Sequence, residues 1–229
     1  MTITRQTIRR ATTSIRVVVL VLHGGTENGN RPVRRFRLAY LRMVPFWWHI
    51  GSVGRGAGAE VRFLRNRVRG WNAPDEDPVV DARDALRRIH EQHPGIPVVL
   101  VGHSMGGRAA LTVADDPAVT AVCALAPWTP PEMPIEPITG CDVLIVHGTE
   151  DSTTNPDASY HYARRAAPLA AGVTRIEVRG SGHAMLRRAR RWHRMVAWFV
   201  LRVLGRVTPD RARWKDRAAA GSGRLRVRV

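Results

Sequence analysis

Short, almost wholly apolar runs alternate along the chain with longer stretches in which apolar residues recur every three or four positions. The strand-like runs cover residues 15–22, 59–67, 97–101, 119–125, 142–146 and 175–178. Most are near-continuous Val, Leu and Ile, the composition of strands buried on both faces of a parallel sheet. Residues 60–67 alternate more, which predicts a place nearer an edge, and residues 7–14 predict a short antiparallel strand in front. Helical periods fill the intervals. Residues 34–48 form one, with Pro45 kinking or ending it. Residues 77–93 form the clearest. This stretch opens on Asp77-Pro78, keeps Val79, Ala82, Leu86 and Ile89 on one stripe and stops before Pro94-Gly95. Residues 104–115, 157–170 and 183–204 complete the set. Strand alternating with helix predicts an α/β fold with a mostly parallel sheet of about seven strands flanked by helices.

One junction carries chemistry. Residues 98–107 read VVLVGHSMGG: four apolar strand residues, a turn holding Ser104, and a helix-compatible stretch after it. Glycines two before and two after the serine remove side chains that would collide in a turn sharp enough to hold Ser104 above the sheet. The bare five-residue motif is only suggestive. The strand before it and the helix after it make it specific, the alternative being a glycine-rich turn without catalysis.

A serine hydroxyl needs a base, and the base an orienting carboxylate. Of the nine histidines, His183 lies in Gly-Ser-Gly-His-Ala, after the last strand-like run. This loop is at the carboxyl edge of the sheet, where Ser104 also lies. The alternative for His183 is a helix-capping role. His23 and His147 end strands and read as structural, His103 as directed away from the site, and His193 as part of a basic helix. Asp151 follows the strand-like run 142–146 into a loop at the same edge, with Glu150 the alternative acid. Taken alone, Asp151 also suits a turn. The N–H of Met105 and that of Gly25, in the loop His23-Gly24-Gly25-Thr26, are the candidate donors to an oxyanion, with Thr26 the second choice there.

The order Ser104, Asp151, His183, with His23-Gly24-Gly25, the Gly102–Gly107 elbow, His147-Gly148 and Gly182-His183, resembles the α/β-hydrolase superfamily over roughly residues 15–204. The resemblance implies an eight-stranded, mostly parallel sheet and cofactor-free acyl transfer to water. Six or seven strands are visible in the sequence, so the first one or two are expected to be reduced. Members with an aspartate nucleophile are not matched, because the elbow carries serine. Little chain separates Ser104 from Asp151. The connection 127–140 is Pro-rich and too short for a cap domain, so the site is expected to be lidless, as in small esterases and dienelactone-hydrolase-like members. Trp128 and Trp71 follow strands at the carboxyl edge and are candidate opposite walls of a substrate pocket, with Thr26 a further contact. Loop packing is the other reading for Trp128. Phe46-Trp47-Trp48 reads as helix packing or as a cover over one side of the site.

Composition adds limits. The chain has 229 residues, 44% of them hydrophobic, which suits one α/β domain over residues 1–204. Residues 205–229 read as a basic, flexible, solvated tail. The formal net charge is +17 and Lys215 is the sole lysine. Spread-out arginines without a nucleic-acid motif fit a genome-wide bias better than a specific nucleic-acid partner, though they favour association with anionic surfaces. Cys123 and Cys141 read as small buried residues of a reducing compartment, without metal spacing. No secretory signal or spanning segment is visible, so the expected location is cytoplasmic. The apolar run 195–201 reads as a core-packing helix, with an interfacial membrane helix as the alternative.

The expected function is a carboxylic-ester hydrolase acting through an acyl-enzyme, on a small-molecule or polymeric ester, without cofactor or metal. A thioesterase, peptidase or acyltransferase would use the same triad. An inactive basic binding module is the non-enzymatic alternative.

Overall fold

Val17–Leu22, six apolar residues in a row, is buried throughout. Its side chains alternate between two cores. Val17, Val19 and Val21 enter one, and Val18, Leu20 and Leu22 the other. This is the period-two geometry of a strand covered on both faces. In the computed structural model, which describes residues 5–205 and 227–229, this strand is β2 of an eight-stranded sheet.

The other strands are β1 (Arg5–Arg9), β3 (Ala59–Arg65), β4 (Val98–His103), β5 (Val119–Leu125), β6 (Asp142–Gly148), β7 (Gly172–Val178) and β8 (Val227–Arg228). Their spatial order is β1-β3-β2-β4-β5-β6-β7-β8. All neighbours pair in parallel except β1 with β3. The helices α3 (Asp77–Gln92), α4 (Met105–Thr112) and α5 (Pro156–Ala166) cover one face. On the other lie α1 (Leu38–Leu41), α2 (Val44–Gly54) and α6 (Ala189–Val203). No cap is inserted between β5 and β6, whose link holds little more than a single turn at Glu136–Ile138.

Several boundaries differ from the sequence-based expectation, each for a local reason. The antiparallel strand lies at Arg5–Arg9 rather than residues 7–14. It is an exposed edge strand, whose register a hydrophobic pattern specifies only weakly. The alternating strand β3 is second from that edge. Residues 34–48 give two helices, and Pro45 stands in the first turn of α2, where a missing N–H costs nothing. The final helix starts at Ala189, because Met185 and Arg188 adopt left-handed backbone (φ 58° and 59°), so His183 sits in a loop before it.

The run 195–201 packs in the core through Met195, Val196, Phe199 and Val200. Cys123 and Cys141 are buried free thiols, and burial raises both their pKa values. Most of the expected tail, residues 206–226, lies outside the described residues. At its end Val227 is buried, and β8 pairs with Ile176 and Glu177 of β7.

Candidate active site

Ser104 occupies the single residue between β4 and α4, with φ 56° and ψ −119°. A residue with a Cβ is strained there by on the order of 1–3 kcal/mol. Surrounding bonds hold it. Its N–H donates to the Leu125 carbonyl (3.0 Å), and its carbonyl accepts from Arg108 N–H (3.0 Å) and Trp128 N–H (3.2 Å). The turn needs its glycines. A Cβ on Gly106 would stand 2.5 Å from the His23 carbonyl oxygen, and one on Gly102 would strike the Gly106 carbonyl.

The three residues expected to act together meet at the carboxyl edge. His183 Nε2 is 3.0 Å from Ser104 Oγ, and His183 Nδ1 is 2.8 Å from Asp151 Oδ2. The carboxylate can only accept, so Nδ1 carries the proton and Nε2 is free to receive one from the serine. The alternative acid is elsewhere: Glu150 pairs with Arg187 at the surface, 3.1 Å away.

Asp151 is buried, which by itself raises its pKa. Hydrogen bonds from His147, His183 and the backbone N–H groups of Thr154 and Thr153 outweigh this and hold its carboxyl well below the usual range. The N–H groups of Thr153 and Thr154 reach Oδ1 at 2.8 and 2.9 Å. The Thr154 hydroxyl lies 3.0 Å from Oδ2.

Two histidines read from sequence as bystanders belong to this network. His147 Nε2 faces Asp151 Oδ2 and the Thr154 carbonyl, each at 3.2 Å. Both are acceptors, so this nitrogen carries a proton and the imidazole is a second donor to the carboxylate. Its Nδ1 lies 2.9 Å from the Ser159 hydroxyl, whose oxygen accepts from the buried Arg175 Nε (3.2 Å). His103 does not point away. Its Nε2 donates to the His183 carbonyl at 3.0 Å, bracing the base. Burial first, then the neighbouring His183, push the His103 pKa down to about 3, so it stays neutral. The His103 partner arrives from the loop after another strand, β7, and His147 meets Asp151 only where the loop after its own strand turns back over it.

The loop after β2 lies against the nucleophile. A Cβ placed on Gly24 would be 3.3 Å from Ser104 Cβ, and one on Gly25 would overlap the Met105 side chain. Among the described residues, neither the Gly25 nor the Met105 amide donates to a protein acceptor. His23 fixes the loop: Nδ1 donates to the Gly24 carbonyl (2.6 Å) and Nε2 accepts from Asn66 N–H (3.1 Å).

Thr26, the candidate substrate contact, is tied into its own loop. Its N–H donates to the Arg69 carbonyl (3.0 Å) and its hydroxyl to the Asn28 carbonyl (2.9 Å).

Trp71 and Trp128 are not opposite walls. Their rings meet edge to face at 5.9 Å. The guanidinium of Arg108 lies against both, 3.9 Å from the Trp71 ring and 4.3 Å from that of Trp128. Arg108 follows Ser104 by one helical turn. Of the aromatic triplet, Phe46 is core, Trp47 is half-buried and Trp48 is exposed. Among the described residues no group of three or more His, Cys, Asp or Glu side chains is arranged to hold a metal.

No curated protein matches the chain. Among solved structures it is similar to a lid-less α/β serine hydrolase from Xanthomonas campestris, with a TM-score of 0.64 and 16% identity over 89% of this chain and 90% of that one. It is similar to a thermophilic esterase from Thermogutta terrifontis, with a TM-score of 0.65 and 17% identity over 90% of each chain. It also resembles a monoacylglycerol lipase from Paleococcus ferrophilus, with a TM-score of 0.64 and 16% identity over 90% of this chain and 100% of that one. At these identities the likeness is one of fold. A family model described as serine aminopeptidase, S33, matches residues 13–142, a segment that includes the His23–Gly25 loop and the Ser104 elbow and ends before Asp151 and His183. The chain therefore belongs to this serine-hydrolase family and has its α/β-hydrolase fold without a lid.

Proposed function

We propose that the protein hydrolyses carboxylic esters through an acyl-enzyme on Ser104. The observation that carries this reading is the continuous relay from Ser104 Oγ through His183 to Asp151, at 3.0 and 2.8 Å. Ser104 Oγ attacks the ester carbonyl while His183 Nε2 takes its proton. Asp151 remains ionised and offsets the charge on the imidazolium that forms. The oxyanion faces the N–H groups of Gly25 and Met105. Collapse breaks the ester C–O bond, and His183 returns its proton to the departing alkoxide. Water, activated by the same imidazole, then releases the acid.

Charge at the site supports an ester over an aminopeptidase substrate. Arg42 acts electrostatically on both His103 and Asp151, and Arg108 lies against both tryptophans one turn beyond Ser104. These cations suit neutral or anionic esters and repel the free α-ammonium of an aminopeptidase substrate. The relatives named esterase and lipase agree with this choice.

A second reading, peptide cleavage, is favoured by the family description and by Glu76, Glu132 and Glu27, whose charges bear on Arg108. A panel of p-nitrophenyl esters, acyl thioesters and aminoacyl anilides separates these readings. Ester turnover should dominate and fall by several orders of magnitude in Ser104→Ala. A strong preference for the anilides or thioesters would replace the ester assignment.

Among the described residues no helix is long and apolar enough to cross a membrane. The buried free thiols Cys123 and Cys141 support a reducing, cytoplasmic setting.

A further inference from the structure

The segment before β3 is apolar on both sides. Its inner side, Tyr40, Met43, Phe46 and Ile50, packs into the core beside α6. Its outer side carries Leu38 and Leu41 on α1 and Pro45 and Trp48 on α2, at intervals of three and four. Leu38 is 75% exposed, Trp48 56%, and Phe36 in the preceding turn 88%. A helix with two apolar faces is ordinarily buried on both, and a cluster of large exposed side chains marks a contact surface.

The charge carried by this segment has one sign. Between residues 28 and 59 there is no Asp or Glu, while Arg31, Arg34, Arg35, Arg37, Arg42 and Arg55 are present. Phe36 borders a groove of about 530 Å³ that is also lined by Arg5, Arg34, Arg35 and Arg65, and by Arg67, which is itself paired with Asp77 and Asp81. Arg69 feels the charges of Arg37, Arg31 and Arg34.

This surface adjoins the catalytic edge. Arg37, Ala39 and Tyr40 share a small pocket with His23, Gly24 and Gly25. Leu186, 77% exposed and followed by exposed Arg187 and Arg188, lies three residues beyond His183.

We infer that the α1–α2 face, with Phe36, Leu38, Leu41 and Trp48 at its surface, docks on an anionic lipid bilayer beside the Ser104 site. Apolar side chains enter the headgroup boundary while arginines meet anionic headgroups, the combination that interfacial binding needs. Nucleic acid would satisfy the arginines but leave Leu38 and Leu41 without partners. A second copy meeting the same face would set one arginine cluster against another. The docking is independent of the ester reading. Only its use, presenting the site to lipid esters, rests on that reading.

The test is co-sedimentation of the full chain carrying Ser104→Ala, which separates binding from turnover. Vesicles of phosphatidylcholine alone are compared with vesicles containing about 30% phosphatidylglycerol. The Ser104→Ala protein should bind the anionic vesicles at least about tenfold more tightly than the neutral ones. Adding Phe36→Ser and Leu38→Ser should weaken that binding by about tenfold or more, with circular dichroism unchanged. In the chain with native Ser104, the same two surface changes should leave hydrolysis of a water-soluble ester unaltered. Equal affinity for duplex DNA that is insensitive to the two serine substitutions would overturn the proposal in favour of a polyanion site. A dimer in light scattering that these substitutions dissociate would overturn it in favour of self-association, as would absence of binding to either vesicle.

Discussion

The His103 Nε2–H donates to the main-chain carbonyl of His183 at 3.0 Å, with the two rings 4.7 Å apart. The residue before the nucleophile thereby braces the base. Replacing it leaves the triad's chemistry intact but frees the loop that aims His183. His103→Phe should lower kcat roughly ten- to a hundredfold with KM nearly unchanged, since small misplacements of reacting groups cost about that much. His103→Gln, which retains a donor, should lose less. Steady-state kinetics of the two variants checks this, and equal losses would argue against the bond's role.

Ser104 stores backbone strain at φ 56°. Glycine relieves that strain and alanine does not, since alanine keeps the Cβ. Ser104→Gly should therefore be more stable than Ser104→Ala by about 1 kcal/mol in urea unfolding, both being inactive. A less stable glycine variant would mean that the elbow is relaxed.

His147 should act through Asp151. His147→Leu removes a buried donor from the carboxylate and should cost about 1–3 kcal/mol of stability and roughly tenfold in kcat. His147→Gln should recover part of both. Urea unfolding and turnover of the two variants decide. If the leucine variant loses stability but keeps full kcat, His147 serves folding alone.

His23 is buried with one nitrogen donating and the other accepting. Burial is the main cause that lowers its pKa to about 4. The unfolded chain therefore takes up a proton at higher pH than the folded one. Stability should fall as pH drops from about 6.5 towards 4, by on the order of 2 kcal/mol at about pH 5 from this residue. His23→Gln should flatten that part of the stability–pH curve. An unchanged slope would remove His23 as its source.

The β2, β4, β5 and β6 runs were legible because a strand buried on both faces must be apolar along its whole length. Ser104, Asp151 and His183 were legible because each follows a strand at the same edge. The support around them was not. His103 reaches the His183 loop, and His147 reaches Asp151 only because the 149–154 loop folds back over β6. Arg108 was hidden for another reason. Trp71 and Trp128 read as walls until the fold brought their rings together against its guanidinium. The start of α6 was also missed, because residues 183–188 have no breaker in sequence and take left-handed backbone at Met185 and Arg188 instead.

His183 and Asp151 are proposed to make Ser104 a nucleophile. Labelling with a fluorophosphonate, read by intact mass and peptide mapping, tests it most directly. One adduct should form, on Ser104, and several orders of magnitude more slowly in His183→Ala. A folded wild-type protein that stays unlabelled, carries the adduct elsewhere, or reacts as fast without His183 would contradict it.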